Sequence, residues 1–293
     1  MLIEPFHEKD SGTWCYLLAD PDHGEAAIID PVWLYDPVSG KADLSFTEQV
    51  LRRVEEGGFK LTWVLETHAH ADHLSSAAYI RRKTGARIAI GRGIRSVQEN
   101  FRRVFNVSDL DCDGSQFDRL LSEGDVVRVG SLEVGVMETP GHTNDSLTYL
   151  VGDAAFIGDT LFAPAFGTAR CDFPGGDAAM LFDSIARIHA LPPGTRLHLC
   201  HDYPPKGEAP TSTVTVAESR VFNIHANTGV AREEYVEMRR NRDATLSLPR
   251  LLYPSLQVNI RAGTEPEPEN NGASYLRIPF NMDIGELLKR SDG

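Results

Sequence analysis

Thr67-His68-Ala69-His70-Ala71-Asp72-His73 places four side chains that can bind a metal within six consecutive positions, separated only by two alanines. Imidazoles and a carboxylate at this density suit zinc, iron or another borderline divalent ion far better than calcium or magnesium. The residues before it, Leu61 to Glu66, alternate and are rich in strand formers, so they predict a strand. Those after it, Leu74 to Lys83, predict a helix closed by Gly85. The cluster therefore falls on a strand-to-helix loop, where a rigid scaffold can hold ligands and keep a position open for substrate.

The same local pattern recurs three times. Strand-like Leu132–Met137 runs into Gly141-His142, Ala154–Ile157 into Gly158-Asp159, and Arg196–Cys200 into His201-Asp202-Tyr203. Each puts a metal-competent residue where an apolar strand ends, twice just after a glycine that lets the backbone turn sharply. One such position is ordinary turn chemistry. Together they describe ligands gathered at one edge of a layered β structure, which makes an open metal cleft.

His68-x-His70-x-Asp72-His73, Gly141-His142, Gly158-Asp159 and His201 follow in the order and spacing of the metallo-β-lactamase superfamily, which residues 12 to 225 resemble. The resemblance implies an α/β fold, the αββα sandwich, with the metal cleft at one edge of two sheets. It does not by itself fix the chemistry, since such folds carry thiolesterases, lactamases, nucleases and oxygenases.

The segment after Asp159 narrows the choice. Arg170, Asp172 and Phe173 match the Gly-Arg-Thr-Asp-Phe segment of the persulfide dioxygenase branch, with Ala169 and Cys171 replacing its glycine and threonine. His201-Asp202-Tyr203, Thr215-Val216-x-Glu218-x-Arg220-x-x-Asn223 and Pro279-x-Asn281-Met282 resemble further motifs of that branch. The departures are a longer link at Pro204-Pro205-Lys206-Gly207 and an extended stretch between about 243 and 275. The resemblance implies one mononuclear non-haem Fe(II) per chain, held by His68, His142 and Asp159, and oxidation of glutathione persulfide by O2 to glutathione and sulfite. His70, Asp72, His73 and His201 would then serve catalysis by hydrogen-bonding to the ligands or to metal-bound water. Because glutathione is anionic, Arg170, Tyr203 and Lys206 are the candidate substrate-binding residues. The alternative is a glyoxalase II-like thiolesterase with two metals. It would use His68, His70 and His142 at one ion, Asp72, His73 and His201 at the other, and Asp159 as the bridge. A binding protein that keeps the fold without turnover is a third reading, which the loss of a ligand would support; none is lost.

The chain of 293 residues carries a net charge of −13, which argues against nucleic acid and against an anionic membrane surface as partners. No run approaches a membrane-spanning length, no basic stretch followed by an apolar core opens the chain, and Cys15, Cys112, Cys171 and Cys200 lack a framework spacing. These features predict free thiols and a cytoplasmic location; a homodimer is left open.

Elsewhere, Thr13–Leu18 and Glu25–Ile29 predict two strands joined by a turn at Asp20–Gly24, and Glu48–Glu56 a helix capped by Thr47. Residues 104–123 read as an acidic loop. Its Asp109-x-Asp111-x-Asp113-Gly114 start is no calcium loop, because Leu120 stands where a bidentate Glu is required. Residues 177–190 predict a helix turning Met180, Leu181, Ile185 and Ile188 to the core, 214–242 one or two helices, and 264–272 an acidic, proline-rich surface loop. The expected organisation is a catalytic domain over residues 1–242 and a C-terminal extension, 243–293, packed on the same domain.

Overall fold

Strand β2 (Thr13–Asp20) is buried along its whole length, and its alternate residues enter two different cores. Cys15, Leu17 and Ala19 face a helical layer, whereas Trp14, Tyr16 and Leu18 face a second sheet. A strand buried on both sides in this way sits inside a layered structure. The computed structural model describes residues 1–204 and 207–290 and has that architecture.

The first six-stranded sheet runs β1 (Leu2–Glu8), β2, β3 (Glu25–Ile29), β6 (Lys60–Leu65), β8 (Arg87–Gly91) and β9 (Arg119–Leu121). The second runs β10 (Val126–Val129), β11 (Leu132–Glu138), β12 (Leu147–Val151), β13 (Ala154–Phe156), β14 (Arg196–His198) and β15 (Thr213–Thr215). A small third sheet joins β5 (Lys41–Asp43), β4 (Val32–Asp36) and β7 (Leu74–Ser75). Helices α1 (Ser45–Glu56), α2 (Ala77–Thr84), α3 (Ile94–Phe105) and α7 (Leu252–Asn259) cover the first sheet. Helices α4 (Ala178–His189), α5 (Val216–Phe222) and α6 (Arg232–Asp243) cover the second. The remaining helix, α8 (Ile284–Arg290), rests against α3. The result is an αββα sandwich. Among the described residues, no helix is long and apolar enough to cross a membrane.

Several sequence expectations are corrected. The helix after the histidine loop starts at Ala77 rather than Leu74, because Leu74 and Ser75 pair with Trp33 and Val32. Gly85 closes it at φ +76°, as expected. Thr47 lies inside α1, not at its cap, and its hydroxyl donates to the Val32 carbonyl. Residues 104–123 include the end of α3 and strand β9. Met180 is 42% exposed, so only Leu181, Ile185 and Ile188 of its set enter the core. In the C-terminal stretch, Leu252, Leu256 and Ile260 join the core beneath the first sheet, and each such side chain contributes about 1.5–3 kcal/mol.

Candidate metal centre

The histidine loop leaves the end of β6 and is fixed by three buried polar side chains from elsewhere. Asp30, which follows β3, accepts the Thr67 N–H at 2.7 Å and the Thr67 hydroxyl at 2.9 Å. Asp145 accepts the Ala69 N–H at 2.8 Å. Asn259, on α7, donates its side-chain amide to the carbonyls of His70 and His73, both at 2.8 Å. Backbone groups that would otherwise be buried and unpaired are thereby satisfied, which pins the loop.

These bonds also set the imidazole tautomers. The Thr67 hydroxyl spends its proton on Asp30, so its oxygen, 3.0 Å from His68 Nδ1, accepts the Nδ1–H. His142 Nδ1 donates to the Arg170 carbonyl at 2.7 Å. Both rings therefore present a bare Nε2 lone pair. The backbone comes close here: a Cβ on Gly158, at φ +51°, would stand 2.8 Å from Thr67 Oγ1. Only glycine lets Asp159 follow at this point.

Asp159 stands at the centre. Its Oδ2 lies 3.9 Å from His68 Nε2 and 3.7 Å from His142 Nε2, and its Oδ1 lies 3.3 Å from His201 Nε2. Asp72 Oδ2 is 3.4 Å from the same His201 nitrogen. His70 faces elsewhere, with Nε2 3.1 Å from Asp30 Oδ1 and 3.9 Å from Glu66 Oε2. His73 holds its Nδ1 against the Leu74 carbonyl at 3.1 Å. All seven expected residues thus gather in one region: His68, His142 and Asp159 form one compact trio, and His70 forms others with Asp72 and His73 and with Cys200 and His201.

The cluster fits metal binding. His68 Nε2, both ring nitrogens of His70, His73 Nε2, His201 Nε2, Asp72 Oδ2 and Asp159 Oδ1 are buried with no hydrogen-bond partner. Each such atom costs on the order of 1–3 kcal/mol, so a fold that converges seven of them is arranged around a cation. Ligand atoms bound at about 2.1 Å to one ion lie about 3.0–3.5 Å apart; Asp159 stands slightly wider than this from His68 and His142, at 3.9 and 3.7 Å, and within it from His201, at 3.3 Å. The electrostatics agree. Burial, reinforced by His70, lowers the His68 pKa well below its ordinary value and keeps the ring neutral. Burial would raise Asp159, but His201 and then His68 and His142 outweigh it and hold the carboxylate ionised. Burial would lower His70 too, yet Asp30 outweighs it and raises the ring to about 10.

A cavity of 330 Å³ opens over this cluster, with Asp72, His142, Asp159 and His201 among its lining and Phe162, Phe166 and Phe173 on its apolar walls. Tyr203 lines it and stacks on His201, with ring centroids 5.9 Å apart and planes 4° from parallel. Arg170 also lines it, but its guanidinium is committed: Nε and Nη2 clamp Asp172 at 2.6 and 2.7 Å, and Nη1 donates to the Ser247 carbonyl at 2.7 Å. It is therefore a braced wall rather than the free cation its sequence position suggests. Lys206 lies outside the described residues. Cys171 is buried, and burial followed by Asp243 raises its thiol pKa, so it is no ready nucleophile.

Sequence reasoning missed Asp30, Asp145 and Asn259. Asp30 ends an apolar strand, as the other site residues do, and that signal was available. Nothing local marks Asn259.

The sequence profile of the metallo-beta-lactamase superfamily matches residues 9–201. The chain belongs to this superfamily. Within it, the chain is 48% identical over 292 residues to a protein named "Probable metallo-hydrolase" from Burkholderia pseudomallei, covering 96% of this chain and 99% of that one. It is 29% identical to the mitochondrial persulfide dioxygenase ETHE1 of Mus musculus, covering 92% and 91% of the two chains. The crystal structure of ETHE1 from Myxococcus xanthus aligns with a TM-score of 0.73 at 31% identity, covering 90% of this chain and all of that one. The chain is accordingly a metallo-beta-lactamase superfamily enzyme with the fold of its relatives.

Proposed function

We propose that this metallo-beta-lactamase superfamily enzyme is a persulfide dioxygenase, using one Fe(II) held by His68, His142 and Asp159 to oxidise glutathione persulfide with O2 to glutathione and sulfite. The observation that carries this reading is the compact trio of His68, His142 and Asp159, whose ligand atoms all lie within 4.8 Å of one another. Two imidazoles and one carboxylate are a donor set that suits non-haem iron with open positions. The likeness to the mouse enzyme and the match at Arg170, Asp172 and Phe173 support the same reading.

The bound iron would supply one-electron chemistry and adjacent positions for sulfur and O2. The chain's own residues do the rest. Thr67 and the Arg170 carbonyl fix the two ligand rings. Phe162 and Phe173 give the cavity apolar walls beside the candidate ligands. His201 Nε2 faces Asp159 Oδ1 at 3.3 Å and Asp72 Oδ2 at 3.4 Å, beside the three candidate ligands.

One observation favours the thiolesterase alternative: Asp159 turns its second oxygen toward His201, whose Nε2 Asp72 also faces, as a bridging carboxylate would. Oxygen uptake separates the two. The dioxygenase consumes O2 and forms sulfite in step with glutathione persulfide; hydrolysis of a glutathione thioester without O2 uptake would replace this reading with the alternative.

A further inference from the structure

Three arginines line the cavity over the metal-ligand cluster, and their circumstances differ. Arg170 is clamped by Asp172 and the Ser247 carbonyl. Arg239 is 1% exposed; its Nε donates to Asp243 at 2.8 Å, and its Nη1 donates to the Thr168 carbonyl at 3.1 Å. Both cations are structural. Arg242, one turn further along α6, is exposed, and its guanidinium has no hydrogen-bond or ion-pair partner among the described residues.

The Arg239–Asp243 pair locks α6 against the segment carrying Thr168, which sets where Arg242 stands at the cavity. Its other neighbours in the lining include Leu246, Pro249 and Phe166, which offer no charge. The whole chain carries −13, so an anionic substrate approaches against the mean field and needs a local cation to hold it. We infer that Arg242 recognises a carboxylate of the substrate remote from its sulfur, and so sets a preference for acidic thiol derivatives over neutral ones. An uncommitted guanidinium can take a carboxylate through two parallel hydrogen bonds, which also orients the molecule. This inference deepens the proposed function and rests on it for the choice of substrate.

The test compares kcat/KM for glutathione persulfide with that for the persulfide of N-acetylcysteamine, an uncharged thiol, by oxygen uptake. Arg242→Gln should lower that ratio by about tenfold or more, Arg242→Lys by less, and Arg240→Gln, on α6 but outside the cavity, should leave it unchanged. An equal loss on both substrates, or no loss, would overturn the assignment. Absence of oxygen uptake by the wild-type protein on either persulfide would count against the dioxygenase reading alone. Calorimetric binding of S-methylglutathione to the metal-loaded protein then tests Arg242 directly. Binding weakened about tenfold by Arg242→Gln sustains the assignment, and unchanged binding overturns it.

Discussion

The Asn259 side-chain amide donates to the His70 carbonyl at 2.8 Å, across 189 residues of sequence. Its second bond, to the His73 carbonyl, and its acceptance of the Ser75 N–H at 2.7 Å make it the clasp of the histidine loop. Helix α7, in the C-terminal stretch, is thereby tied to the histidine loop.

Asn259→Asp keeps the acceptor and loses both donors, leaving two buried carbonyls unpaired. The expected cost is about 1–3 kcal/mol for each, with metal affinity reduced on the order of 10–100-fold. Thermal melting and metal retention against a chelator measure both. A variant with wild-type melting and retention would show that the clasp is dispensable.

Arg170 separates bracing from charge. Arg170→Lys keeps the cation but cannot fork onto Asp172 and reach the Ser247 carbonyl together. Lys and Ala at this position should therefore lose activity alike, in kcat as well as KM, because the same segment supplies the carbonyl that orients His142. Full rescue by Lys would mean that Arg170 acts through its charge on the substrate.

Asp20 ties the β2–β3 turn to the β10–β11 turn by accepting both the N–H and the hydroxyl of Ser131, each at 2.7 Å. Those bonds, the hydroxyl's first, hold its pKa down to about 2. A folded value below the unfolded one stabilises the protein above about pH 4, and this is lost as pH falls toward 2. The melting-temperature deficit of Asp20→Asn should therefore be full at neutral pH, shrink as pH falls below about 4 and disappear only below pH 2. A deficit constant across that range would assign the effect to packing instead.

Much of the fold was legible because its signals are local. The continuous apolar runs of β2 and β3, the glycine closing α2 and the ligands placed at strand ends each announce themselves within a few residues. Helix α3 is not among the sequence expectations, although Ile94, Val97, Phe101, Val104 and Phe105 are periodic; its N-cap position is Gly93, and no capping side chain announces where it begins. What stayed hidden depends on distant partners. Arg170 reads as a free cation until Asp172 and Ser247 are seen to claim it. His70 reads as one metal-competent residue among several, and nothing local announces Asp30, 3.1 Å from its Nε2. Asn259 carries no motif at all.

Metal content per chain tests the mononuclear assignment most directly. Elemental analysis of the purified protein should find one iron per chain, the same amount in Asp72→Ala, and none in His142→Ala, which loses one of only three protein ligands. Two metal ions per chain, with one of them lost from Asp72→Ala, would contradict the assignment and establish the two-metal centre of a hydrolase.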